Sequence, residues 1–192
     1  MIIMYLSWIV IVAFIGLITG LSIGGTGGEV KELNELNDLQ IPFPDGTYFV
    51  KTSDFGYRVH PITGEPNKFH SGVDLAPPPN TDIVASASGT VLETGYAPAG
   101  LGYYVYIEHE IKGKKYITAY GHMTAGSIVV SEGQNVQAKQ KIGVAGSSGA
   151  STGIHLHFML MDGKVCFVPE CLLDPTFVIE KEENQNNWWT NG

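Results

Sequence analysis

Basic residues are scarce in this chain: eleven Lys and Arg stand against nineteen Asp and Glu, for a net charge of −8 at pH 7. Phosphate contacts need clustered Lys and Arg, so the composition argues for no nucleic-acid partner. Cysteine is nearly absent as well. Cys166 and Cys171, in CFVPEC, are too few for a disulfide framework to replace a hydrophobic core. They either close a small loop, which Pro169 would help to turn, or stay a pair of partly buried thiols. With no further Cys nearby, a zinc site built on this pair is discounted. Helical apolar spacing is also scarce after residue 40, where short runs of Val, Ile, Tyr and Thr alternate with Gly, Pro and Asn turns. A chain of 192 residues with 24 glycines therefore reads as one β-rich domain with short flanks.

A different absence marks the N-terminus. Residues 1–23, MIIMYLSWIVIVAFIGLITGLSI, hold no charged side chain. As a helix rising about 1.5 Å per residue they would cross a hydrocarbon layer of about 30 Å. No basic stretch opens the run and no A-x-A site follows it, so an uncleaved transmembrane anchor is favoured over a cleaved signal peptide. Neither flank has the Lys or Arg cluster that would orient it. Gly16, Gly20 and Gly24 stand at a spacing that could pair helices.

Residues 24–41, glycine-rich and then acidic, read as a linker, in which Val30, Leu33, Leu36 and Leu39 could form a brief helix. Pro42 and Pro44 open a domain expected over 42–179, and the polar stretch 180–192 reads as a disordered tail. Residues 29–38 carry four acids against one Lys, and 180–192 three against one. The flanks thus hold −5 of the −8, leaving the domain only mildly acidic.

Six histidines remain: His60, His70, His109, His122, His155 and His157. In TGIHLHFML, His155 and His157 would project from the same face of a strand, about 6–7 Å apart, while Leu156 and Phe158 pack on the other. Burying two neighbouring imidazoles without partners is costly. The spacing suits one imidazole on a metal and the other beside it, facing water. Upstream, FHSGVDLAPP places His70 four residues before Asp74, with prolines that exclude a continuing helix. Carboxylate and neutral imidazole both bind zinc at about 2.0–2.2 Å, and a hydrolytic zinc takes three protein ligands and leaves a position for water. His70, Asp74 and one histidine of the H-x-H pair make that count. In ITAYGHMT, His122 ends a strand-like run and could hold water or steady an oxyanion. His60 and His109 are read as structural.

Four motifs in order, FGYRVHPITG at 55–64, H-x-x-x-D at 70–74, YGHM at 120–123 and STGIHLHF at 151–158, resemble those of the M23 metallopeptidases. These are lysostaphin- and LytM-type zinc endopeptidases that cut peptide bonds in bacterial peptidoglycan, and the resemblance spans residues 53–175. It implies an all-β fold: an antiparallel β-sheet peptidase domain of the LytM, or duplicated-hybrid-motif, type. It further implies Zn2+ bound by His70, Asp74 and His157, with catalytic His155 as general base and His122 assisting the water or the tetrahedral intermediate.

With the anchor, this predicts a single-pass protein of the cell membrane whose peptidase domain faces peptidoglycan on the extracytoplasmic side. The short linker would suit work within an envelope-spanning complex. A LytM-type module that has lost catalysis and regulates other wall hydrolases is the alternative, and retention of every proposed ligand argues against it. The stretch 130–149 also resembles the hairpins of lipoyl or biotinyl carriers, but no modifiable lysine sits in such a domain's turn motif. Departures from the family pattern are PPPNTDIV at 77–84, Met159 where an acid is usual, and Lys139 at a common turn glycine.

Overall fold

Period-two alternation builds this molecule. The computed structural model describes residues 36–59 and 64–180. Its strands are β1 (Val50–Ser53), β2 (Gly56–Arg58), β3 (Lys68–His70), β4 (Val73–Ala76), β5 (Asp82–Val84), β6 (Gly89–Ala97), β7 (Gly102–Ile111), β8 (Lys114–Met123), β9 (Asn135–Val136), β10 (Lys141–Val144), β11 (Leu156–Asp162) and β12 (Leu172–Leu173). The helical structure among the described residues is a 3-10 turn, Pro169–Cys171, and one turn over 176–180. The expected β-rich, antiparallel domain is therefore what forms. Among the described residues no helix is long and apolar enough to cross a membrane. The run 1–23 expected to anchor the chain, His60 and residues 181–192 lie outside them.

The main sheet runs β1-β4-β11-β8-β7-β6-β9, with β12 also pairing β11, and its strand pairs among the described residues are all antiparallel. Two small sheets, β10-β5 and β2-β3, flank it. β7 turns into β8 through Lys112 and Gly113, both at positive φ (51° and 79°), as a two-residue hairpin loop requires.

On one face, Leu75, Val105, Ile107, Tyr116, Tyr120, Leu156, Phe158 and Leu160 join the principal core. On the other, Tyr106, Ile117, Ala119, Met159 and Met161 form a smaller cluster. β11 is apolar at almost every position because it is covered on both faces, as central strands are.

The described end of the stretch expected to be a tether, residues 36–41, contributes to this core. Leu36, Leu39 and Ile41 are buried in it with Phe43, each such burial stabilising by roughly 1.5–3 kcal/mol. Lys139 fastens the same segment. It holds φ +64°, where glycine is usual, while its ammonium donates to the carbonyls of Ile41 and Phe43 at 3.1 Å each and pairs with Asp45 at 2.9 Å. The departure at that turn thus exchanges backbone ease for a side-chain clamp. His109, read as structural, is fully buried, with Nδ1 3.0 Å from the Ser88 carbonyl and Nε2 2.7 Å from Thr118 Oγ1.

Candidate metal centre and groove

Strand register assembles the site. His157 on β11 lies directly across from Asp74 on β4 and from Gly121 on β8, so all three share the face away from the principal core. A side chain at residue 72 would collide with the Phe158 carbonyl, so Gly72 lets the H-x-x-x-D segment lie against β11. His70 ends β3 and faces the same point.

Strict alternation would send His122 into the core beside Tyr120. A bulge prevents that: the β7-β8 register slips between Tyr103 and Val105, and His122 adopts φ +58°. Its ring thereby comes within 4.6 Å of the His155 ring and 5.9 Å of the His157 ring. Positive φ at a residue other than glycine costs of order 1–3 kcal/mol and persists where the surrounding structure enforces it; here the His122 N–H donates to the Leu101 carbonyl at 2.6 Å.

The ring nitrogens divide cleanly between anchoring and facing the site. His70 Nδ1–H donates to the Asp54 carbonyl at 2.7 Å, which turns Nε2 inward. His157 Nε2 meets Ser71 Oγ at 3.3 Å, which turns Nδ1 inward. His122 Nδ1–H and His155 Nδ1–H donate to the carbonyls of Ser148 and Gly153, at 2.7 and 2.9 Å.

His70 Nε2, His157 Nδ1 and Asp74 Oδ1 then stand at 3.1, 2.8 and 3.2 Å from one another. One proton can bridge one edge of that triangle, whereas a cation at its apex meets all three lone pairs. Ligands about 2.05 Å from a tetrahedral metal are about 3.3 Å apart, so the triangle fits zinc with little adjustment. The group is the cluster among the described residues able to hold a metal ion. His155 Nε2 lies 3.6 Å from Asp74 Oδ1, just outside it.

Electrostatics suit that use. Burial opposes charge on Asp74, but its contacts with the His157 and His70 imidazoles outweigh it and hold the carboxyl well below its usual range. Burial also lowers His157, against the pull of Asp74, and depresses His122 to about 4. Both rings are thus neutral at pH 7, the form in which imidazole binds metal or accepts a proton.

Around the triangle lies an open groove of about 440 Å³. All five sequence-predicted site residues line it. Sequence reading passed over Arg58, Ser71, Tyr106 and Phe167, which line it too. Arg58 stood in a motif already marked and Ser71 beside a marked histidine; nothing in the sequence signalled Tyr106. Phe167 is carried by the loop that the Cys166–Cys171 disulfide closes, with Cα atoms 6.2 Å apart.

This chain is similar to known proteins to differing extents. The model of peptidase family M23 matches residues 68–169, more than half of the chain. The peptidoglycan DD-endopeptidase ShyA of Vibrio cholerae is 39% identical over 104 residues, covering 54% of this chain and 23% of that one. The crystal structure of a zinc-containing peptidase from Vibrio cholerae is 32% identical at a TM-score of 0.54, covering 68% of this chain and 40% of that one. The catalytic domain of the antimicrobial peptidase lysostaphin from Staphylococcus simulans is 29% identical at a TM-score of 0.58, covering 69% and 92%. The chain spans 20–34% of the length of the first curated relatives it matches.

Proposed function

Because the chain belongs to peptidase family M23, we propose that it is a zinc-dependent endopeptidase hydrolysing peptide bonds in the stem peptides or cross-bridges of peptidoglycan. The observation that carries this reading is the triangle of His70, Asp74 and His157 lone pairs with two further imidazoles beside it. His70, Asp74 and His157 would hold zinc there, and the metal would lower the pKa of water toward about 7 and polarise the scissile carbonyl.

The chain's own residues supply the rest. His155 and His122 each anchor Nδ1–H on a carbonyl and leave Nε2 bare, so together they offer two acceptors to the two hydrogens of an attacking water. His155 takes the proton, because burial disfavours charge on His122. His122 accepts the second hydrogen and aims the water. The proton on His155 Nε2 then passes to the leaving amine, so no covalent intermediate is needed.

Residues 1–23 are proposed as a single-pass membrane anchor with the domain on the extracytoplasmic side, where its substrate lies. Their lack of charge supports the anchor, and the disulfide suits an oxidising compartment. Release of the chain from membranes by alkaline extraction would remove it.

The test is to incubate the zinc-loaded chain with purified peptidoglycans of differing cross-link chemistry and to read the released fragments by mass spectrometry, with His155→Ala as the blank. New peptide termini absent from the blank are expected and would name the bond. No release from any wall type despite bound zinc would favour a regulatory module instead.

A further inference from the structure

Among the described residues, Arg58 is the one lysine or arginine lining the groove. It ends β2 with its guanidinium toward the metal triangle. Its ionic contact is with Asp74 Oδ2, 3.9 Å from Nη2, which is too long for a hydrogen bond. Its Nε is buried with no hydrogen-bond partner among the described residues. Asp74 meanwhile commits Oδ1 to His157 and His70. A buried N–H left unpaired is destabilising, so Arg58 is poorly explained as a structural strut.

Charge gives the occupant. Resting on the zinc-peptidase reading above, the bound dication neutralises Asp74, and Arg58 is left as an uncompensated cation in a protein of net charge −8. A guanidinium presents a planar fork of donors matched to a carboxylate. Since Arg58 stands 3.9 Å from a ligand carboxylate and successive Cα atoms are about 3.8 Å apart, the group it meets belongs within one residue of the scissile bond. We propose that Arg58 is a specificity-determining residue that hydrogen-bonds a free carboxylate on the substrate peptide, one residue or less from the bond cut. The carboxylate is either the C-terminal one of a stem peptide or one borne on the side chain of a cross-linking residue.

The test uses zinc-loaded full-length chain and synthetic cross-linked peptides in which each of those carboxylates is present as the acid or blocked as the amide. The native chain is expected to prefer the acid by roughly 10- to 100-fold in kcat/KM, the range of a charge-assisted hydrogen bond. Whichever amide abolishes the preference identifies the source. Arg58→Met should reduce the ratio to near one with zinc content unchanged, and Arg58→Lys should restore part of it.

An equal preference in Arg58→Met and the native chain would overturn the proposal. Loss of zinc from both variants would do so too, by making Arg58 a support for Asp74. Should no peptide be cleaved, the endopeptidase reading fails by itself. Calorimetric binding of the same acid and amide peptides to the zinc-loaded chain then decides the role of Arg58, with tighter acid binding that Arg58→Met abolishes supporting it and equal binding refuting it.

Discussion

His109 and His157 are both buried imidazoles on one sheet, facing opposite sides of it, and their surroundings explain why one is structure and the other chemistry. On the core side, His109 uses one nitrogen on the Ser88 carbonyl and the other on the Thr118 hydroxyl, which continues to Tyr120 at 2.9 Å. One donor and one acceptor satisfy a neutral ring. On the groove side, His157 anchors one nitrogen on Ser71 and aims the other at Asp74 and His70, where lone pairs outnumber protons. Burial does not separate the two. The surplus of lone pairs does.

The sharpest way to break that contrast is to remove one corner of the triangle. His70→Ala or Asp74→Ala is expected to lose zinc and activity together, while His109→Ala keeps stoichiometric zinc, as elemental analysis of the purified proteins would read. Zinc surviving in His70→Ala, or lost from His109→Ala, would erase the distinction. Next in size is His155→Ala, which should keep its zinc and lose about 10²–10⁴-fold in turnover. If it loses metal instead, the roles within the H-x-H pair are reversed.

Much of the sheet was legible because alternation reports which face is buried: Leu156 and Phe158 against His155 and His157 is a pattern a strand can satisfy in only one way. The pairing of Asp74 with His157 was not legible, because register depends on partners more than eighty residues away and on Gly72 permitting close approach. His122 reached the site against the alternation, through a bulge whose positive φ no propensity announces. The disulfide was left open because connectivity depends on Cα separation, which spacing in sequence does not fix. The burial of Leu36 and Leu39 was missed for the same kind of reason: their apolar spacing was read, but the surface that receives them is assembled from distant strands.

Metal removal sharpens the comparison through stability. A ligand present at a thousand times its dissociation constant stabilises the folded state by about 4 kcal/mol. Chelation should therefore lower the denaturation midpoint of the native chain markedly, and that of His70→Ala hardly at all. His109→Ala should be destabilised by about 1–3 kcal/mol, because truncation strands the Ser88 and Thr118 groups in the core, and it should still respond to chelator like the native chain. Equal sensitivity of His70→Ala and the native chain to chelator would show that the triangle is not where stabilising metal sits.

The smallest effect is the share of the pH dependence that His109 contributes. Burial lowers it from its ordinary 6.5, against weaker opposing pulls from the Ser88 carbonyl and Glu108. The folded protein therefore binds this proton less readily than the unfolded chain does. Its contribution to stability is complete above about pH 6.5, declines as pH falls below that value, and levels off once pH passes the depressed folded value. His109→Gln, which cannot take up the proton, should show a flatter stability profile than the native chain below pH 6.5 and a parallel one above it. Denaturation curves with chelator in both samples would isolate the difference from zinc release. Parallel profiles throughout would mean that His109 titrates freely in the fold, and the hydrogen-bond pattern that makes it structural would no longer explain its burial.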